Sequence, residues 1–240
     1  MRLIHPAVSD DVDLARAYAY PDGRCVRLNM VASADGGTWL EGLSGGLSGG
    51  GDRRIFGVLR GQADVILAGA STVRAEGYGP ARPRESWREL RRGRAAAPPV
   101  AVVTRRLDLD LTGRLFAEAE PYARTIVVTC AAAPRERREE AAGHGEVIVA
   151  GDDRVDLAEA VGQLAARGLE RVLCEGGPKI NAQLAAADLV DELCLTVSPM
   201  LIGGDAARVL NGPVSVTRLR LAHVLEEDGF LFTRYVRTPG

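Results

Sequence analysis

Apolar residues recur along this chain in short runs that alternate with helix-spaced stretches. Cys25-Val26-Arg27-Leu28-Asn29-Met30-Val31 is the first run of strand length, and Ala34-Asp35-Gly36-Gly37 after it is turn-forming. Residues 36 to 51 hold eight glycines, and from Asp52 onward Ile55, Phe56, Leu59 and Gln62 take up a helical spacing. This predicts a flexible loop feeding a helix. Asp64-Val65-Ile66-Leu67-Ala68-Gly69 reads as a buried strand, with a short turn or helix over Ala70 to Ala75 at its carboxyl end. Pro99 to Thr104, Thr125 to Cys130 and Glu146 to Ala150 are further strands, and Pro134 to Ala142 is a polar helix opening on proline.

Asp156 to Arg167 carries Leu157, Val161, Leu164 and Ala165 on one face and stops at Gly168. Arg171 to Cys174 is the next strand, Glu175-Gly176-Gly177 its turn, and Pro178 to Ala187 a helix with Ile180 and Leu184 inward. Asp191 to Met200 is again strand-like. Leu219 to Leu225 and Phe230 to Val236 flank Glu227-Asp228-Gly229, a hairpin signal. Ahead of all this a short helix is expected over Asp10 to Ala19, capped by Asp10. The order predicts an α/β fold with a mostly parallel sheet, helices on both faces and antiparallel strands at the C-terminal edge. We expect one domain over residues 25–240, with residues 1–24 an extension packed on it. Gly79 to Pro98, with six arginines and two glutamates, reads as a solvated insertion or a basic nucleotide-contacting loop.

Composition narrows the partners. Thirty basic against 32 acidic residues leave a net charge of -2, so no field of one sign draws the surface to nucleic acid or an anionic membrane, and a small molecule is the expected ligand. Cys25, Cys130, Cys174 and Cys194 form no C-x-x-C pair. They read as buried free thiols of a cytoplasmic protein, with neither zinc site nor disulfide framework. No leader and no membrane-length apolar run is seen. His5, His144 and His223 show no metal-ligand spacing, and no metal is expected.

Open α/β sheets bind ligands outside the carboxyl ends of their strands, where loops converge and helix N-termini offer N–H groups to anions. Four such loops stand out. Glu175-Gly176-Gly177-Pro178 places two glycines and a helix start after a buried strand, which is a pyrophosphate cradle in outline or an ordinary strand-to-helix turn. Gly69-Ala70-Ser71-Thr72 adds hydroxyl donors, or simply caps a helix through Ser71 or Thr72. Thr104 and Arg105 end a strand where a guanidinium can grip a ribose 2′-phosphate, or merely sits on the surface. Ser33-Ala34-Asp35-Gly36 closes the first strand. Neither G-x-G-x-x-G after a strand nor a P-loop is present, and no G-x-S-x-G elbow supports a serine hydrolase.

In order, Asn29 to Gly36, Ala63 to Pro80, Leu173 to Pro178, Asp191-Glu192-Leu193 and Ser198-Pro199 together resemble the pyrimidine reductases of riboflavin biosynthesis, within the dihydrofolate-reductase-like superfamily. The resemblance spans about Cys25 to Val236. It implies a three-layer αβα fold, a homodimer, and NADPH as donor of hydride to the ribosylamino C1′ imine, as in 5-amino-6-(5-phosphoribosylamino)uracil reductase. It implies that Ser33 and Asp35 border nicotinamide and substrate, with Asp35 and then Glu175 as the acid–base candidates. Gly69, Ala70, Ser71 and Thr72 would line the cofactor cleft, Thr104 and Arg105 would meet the adenosine end, and Glu175, Gly176, Gly177 and Pro178 the pyrophosphate. Ala34 and Ser71 stand where relatives commonly carry Leu and Gly. The zinc-deaminase motifs H-x-E and P-C-x-x-C of many relatives are not found, so deamination is expected of another protein. The glycine-rich segment 42–51 is either a lid or a resting flexible loop. Two other readings stay open: a reductase of folate-like pterins, and a non-catalytic NADPH-binding regulator.

Overall fold

The computed structural model describes residues 1–238, which form two compact units. The first comprises Met1–Leu59 together with the chain from Cys174 onward, and the second comprises Arg60–Leu173. The described residues carry ten strands: β1 (Arg2–His5), β2 (Cys25–Ser33), β3 (Val65–Gly69), β4 (Val100–Val103), β5 (Ile126–Thr129), β6 (Glu146–Val149), β7 (Arg171–Cys174), β8 (Glu192–Ser198), β9 (Leu219–Glu227) and β10 (Phe230–Arg237). Its helices are α1 (Leu14–Ala17), α2 (Gly50–Gln62), α3 (Ala70–Ala75), α4 (Arg114–Ala117), α5 (Arg135–His144), α6 (Leu157–Ala165) and α7 (Pro178–Ala186).

In the second unit the strand order is β7-β3-β4-β5-β6, and the pairs β3–β4, β4–β5 and β5–β6 are parallel. Strands β3, β4 and β5 are buried along their whole length, which is why they read as continuous apolar runs rather than alternating ones. Ile66, Val102 and Val127 from these strands pack with Trp87, Leu107, Leu115 and Phe116. Helix α6 starts where expected: the Asp156 carboxylate accepts from the N–H groups of Ala158 and Glu159, and Leu157, Val161 and Leu164 are buried. Gly168, at φ +78°, supplies the left-handed stop.

Segment 79–98 is not a solvated insertion throughout. Trp87, Ala97 and Arg91 are buried, and the Arg91 guanidinium donates to the carbonyls of Gly61, Ala63 and Ala95. Gly61 admits the Trp87 ring, which lies only 2.7 Å from where a Cβ would stand. Charge count alone concealed this, because an arginine spent on carbonyls looks the same in sequence as a solvated one.

The first unit runs β1-β9-β10-β8-β2, antiparallel except for the parallel pair β2–β8. The hairpin β9–β10 turns on Asp228 and Gly229, both with positive φ as a tight primed turn requires. Arg27 is fully buried; it is paired with Glu192 and donates to the carbonyls of Tyr18 and Ala19, while Arg234 grips the other side of Glu192 and the Ala17 carbonyl. These bonds fasten the N-terminal segment onto the unit and take up the carbonyls at the end of α1. That helix is therefore one turn long and is capped by Asp13 rather than Asp10. Strand β1, absent from the hydrophobic pattern, exists because β9 offers it a partner. The glycines around the start of α2 serve close packing: a Cβ on Gly49 would sit 2.9 Å from the Phe230 ring, and one on Gly51 2.6 Å from that of Phe232.

Candidate active site

At the carboxyl end of β2 the chain turns sharply. Ser33 N–H donates to the Gly37 carbonyl, Gly37 N–H returns to Ser33 Oγ, and Gly36 takes φ +93°. The turn presents Asp35, whose Oδ1 accepts the Ser33 hydroxyl at 2.5 Å and whose Oδ2 accepts Gly203 N–H at 2.8 Å. The Ser33 bond first, then that from Gly203, holds the Asp35 carboxyl below the usual carboxylate range. It is thus ionised at neutral pH, suited to face a cation and to accept N–H donors.

Sequence reasoning missed the segment 199–212 that closes this end. Ala34 N–H donates to Met200 O, and Thr38 donates to Ala207 O through both its amide and its hydroxyl. A Cβ on Gly37 would stand 2.6 Å from Ile202 Cδ1, so glycine is what lets this segment lie against the turn. Farther along, the buried Asn181 donates to Val209 O, and Asn211 N–H donates to Pro178 O. One stretch of chain therefore spans from Ser33 and Asp35 to the start of α7. The only local signal was Ser198-Pro199 followed by Gly203-Gly204, whose positive φ values mark a turn.

The loop after β7 meets the same end of β2. Gly176, at φ +92°, lies against Met30, where a Cβ would come within 3.2 Å of Sδ. Gly177 caps α7 with no side chain on its N–H groups, and Pro178 is the first helical residue. Glu175 is buried at the head of this loop. Burial pushes the Cys174 thiol up to about 12, so that sulfur is a packing element and not a nucleophile.

A polar face runs beside the turn. In register, Arg27, Asn29, Val31 and Ser33 of β2 stand opposite Glu192, Cys194, Thr196 and Ser198 of β8. The Thr196 hydroxyl donates to Asp52 Oδ1 at 2.6 Å, the Ser48 hydroxyl donates to Asp52 Oδ2 at 2.5 Å, and the buried Ser198 Oγ has no partner. Sequence reasoning assigned no site role to Asp52, Thr196 or Ser198: Asp52 marked a helix start, and Ser198 entered only through the Ser198-Pro199 block of the family resemblance.

In the second unit, Gly69 and Val103 are register partners, so Ala70 and Thr104 begin their loops at one level on adjacent strands. Gly69 itself caps α3 without a side-chain bond, which leaves Ser71 and Thr72 uninvolved in capping. Thr104 is buried, with its Oγ1 accepting Leu107 N–H. Arg105 is exposed and makes no ion pair among the described residues. Thus the structure groups Ser33, Asp35 and Glu175 to Pro178 at one end of the first unit, and Gly69 to Thr72 with Thr104 and Arg105 at the carboxyl edge of the second.

With this geometry in view, family comparison is decisive: the model described as RibD C-terminal domain matches residues 24–229. The chain belongs to the RibD C-terminal domain family. Among RibD C-terminal domain relatives, the 2,5-diamino-6-ribosylamino-4(3H)-pyrimidinone 5′-phosphate reductase of Methanothermobacter thermautotrophicus is 34% identical over 188 residues, covering 77% of this chain and 82% of that one. The crystal structure of a pyrimidine reductase-like protein from Corynebacterium diphtheriae superposes with a TM-score of 0.85 at 28% identity, over 95% of this chain and 100% of that chain. A dihydrofolate reductase from Enterococcus faecalis shares the fold at a TM-score of 0.50 and 13% identity, over 90% of this chain and 97% of that chain. The chain is an oxidoreductase with a dihydrofolate-reductase-like α/β fold. Among the described residues no helix is long and apolar enough to cross a membrane.

Proposed function

We propose that the chain is an NADPH-dependent reductase acting on a 6-ribosylaminopyrimidine 5′-phosphate, adding hydride to C1′ of the open-chain imine and a proton to its nitrogen to give the ribitylamino product. The observation that carries this reading is the ionised Asp35 carboxylate, pinned at the strand end by Ser33 and Gly203 beside the Gly176 loop. NADPH, when bound, supplies the hydride.

The residues fit such a cofactor. Gly176 leaves space that a Cβ would fill against Met30, and the uncapped N-terminus of α7 offers N–H groups to a pyrophosphate. By the same proposal Gly69, Ala70, Ser71 and Thr72 line the nicotinamide-nucleotide cleft. Thr104 and Arg105 take the adenosine end, where the unpaired Arg105 guanidinium selects a 2′-phosphate. Asp35 stabilises the iminium, and Glu175 is the second group able to manage its proton. Asp52, oriented by Thr196 and Ser48, accepts N–H donors from the pyrimidine. A homodimer belongs to the same reading.

The test is dihydronicotinamide oxidation with the 2,5-diaminopyrimidinone, with the 5-aminouracil form, and with dihydrofolate. Turnover of either ribosylamino substrate is expected. Oxidation with dihydrofolate alone would make the chain a pterin reductase, and NADPH binding with no oxidation a regulator. Asp35→Asn should lower kcat about 100-fold while NADPH affinity is retained; unchanged turnover removes Asp35 from the chemistry.

A further inference from the structure

A cleft of about 630 Å³ opens in the second unit at the amino ends of its strands, with Asp64 ahead of β3, Pro99 ahead of β4, Ile126 opening β5 and Glu146 opening β6. It lies at the opposite strand ends from Gly69 and Thr104, and the proposed reduction uses none of its residues. Its volume is that of a small-molecule site.

Four arginines line it, Arg91, Arg94, Arg124 and Arg167, against two carboxylates. Both carboxylates are already committed. Asp64 pairs with Arg94 at 2.9 Å and also accepts Arg171 N–H, while Glu146 pairs with Arg167 at 2.6 Å. Arg91 and Arg124 remain. Arg91 is 5% exposed; its Nε and Nη1 donate to the neutral carbonyls of Gly61, Ala63 and Ala95, and the carboxylate whose charge it feels, Asp64, is already paired with Arg94. Carbonyls at the end of α2 offset part of that charge through the helix dipole, but a dipole end is worth about half a charge. Burial first, then the neighbouring Arg94 cation, brings the Arg91 guanidinium down to about 10. Arg124 is exposed in the cleft, and its side chain has neither ion pair nor hydrogen bond among the described residues. Tyr122, 47% exposed, adds an aromatic wall.

Buried charge is ordinarily matched by counter-charge, and here two carboxylates stand against four guanidiniums on a concave surface that concentrates the excess positive potential. We propose that this cleft is a second ligand site, taking a phosphate-bearing small molecule whose phosphate lies between Arg91 and Arg124 and whose body rests against Tyr122. Two charge-assisted contacts to one phosphate suit guanidinium geometry better than any other side chain. The site is independent of the reductase assignment.

Calorimetric titration with inorganic phosphate, pyrophosphate and adenosine monophosphate tests it on the intact protein, comparing wild type with Arg124→Ala and Arg105→Ala. Arg124 is exposed and unbonded, so its removal leaves folding intact. Binding of at least one probe is expected, weakened about tenfold or more by Arg124→Ala, unaffected by Arg105→Ala, and unchanged by saturating NADPH. Absence of heat with all three probes at millimolar concentration overturns the proposal. So does binding that Arg124→Ala leaves intact, or that Arg105→Ala or NADPH abolishes, since either assigns the phosphate elsewhere.

Discussion

His223→Phe isolates the contribution of one buried base to acid stability. His223 sits in β9 at 7% exposure, edge-on to Tyr18 with ring centroids 4.9 Å apart, and its Nε2 has no partner. Phenylalanine keeps the aromatic edge contact and abandons no bond at Nε2. Burial first, then the Arg234 and Arg27 cations, brings the imidazole down to about 4, against about 6.5 in an unfolded chain. Because the folded value is the lower one, the denatured state binds the proton first. Stability therefore falls as pH drops below about 6.5, and the loss is complete only below about 4. With one pKa unit equal to about 1.4 kcal/mol, the full effect is roughly 3 kcal/mol, and about 2 kcal/mol is already lost at about pH 5. Urea unfolding of both proteins at about pH 7.5 and about pH 5 measures it. Carboxylates titrate alike in the two proteins, so the wild type should lose about 2 kcal/mol more than the variant over that interval. Losses equal to within about 0.5 kcal/mol would show that the imidazole is protonated in the folded protein and that the burial argument is wrong.

Glu192→Gln leaves Arg27 and Arg234 facing each other without their shared anion, and should cost about 3–5 kcal/mol in urea unfolding. Gly176→Ala forces a side chain into φ +92° and against Met30; a penalty of about 1–2 kcal/mol and weaker NADPH binding are expected by denaturation and calorimetry. Asp52→Asn should raise KM for the pyrimidine about tenfold with NADPH affinity unchanged, read from steady-state kinetics.

Much of the second unit was legible because its signals are local. Val65 to Gly69 is a continuous apolar run that is buried throughout, and Asp156 and Gly168 mark α6 by capping chemistry that needs no distant partner. The four candidate loops, Ser33–Gly36, Gly69–Thr72, Thr104–Arg105 and Glu175–Pro178, followed from the rule that open α/β sheets bind ligands outside the carboxyl ends of their strands, and their grouping into pairs came from the structure. Short elements escaped notice. Strand β1 and helix α4 have four residues each, too few to display a period.

The sequence by itself determined the alternation of strand and helix and the glycine turns, since each rests on residues within a few positions of one another, and the family signature, since that rests on residue identity and order rather than on contacts. Tertiary structure alone decided which polar groups meet. Thr196 reaches Asp52 across 144 positions, Gly203 reaches Asp35 across 168, and Glu192 meets Arg27 across 165. Those meetings depend on the register of β8 against β2 and on the path of the segment beyond it, and a hydrophobic period carries no information about either. Arg91 shows the same division: Arg88 and Arg92 near it in sequence are surface arginines, and only the packing of residues 79–98 onto the end of α2 makes Arg91 a buried cation.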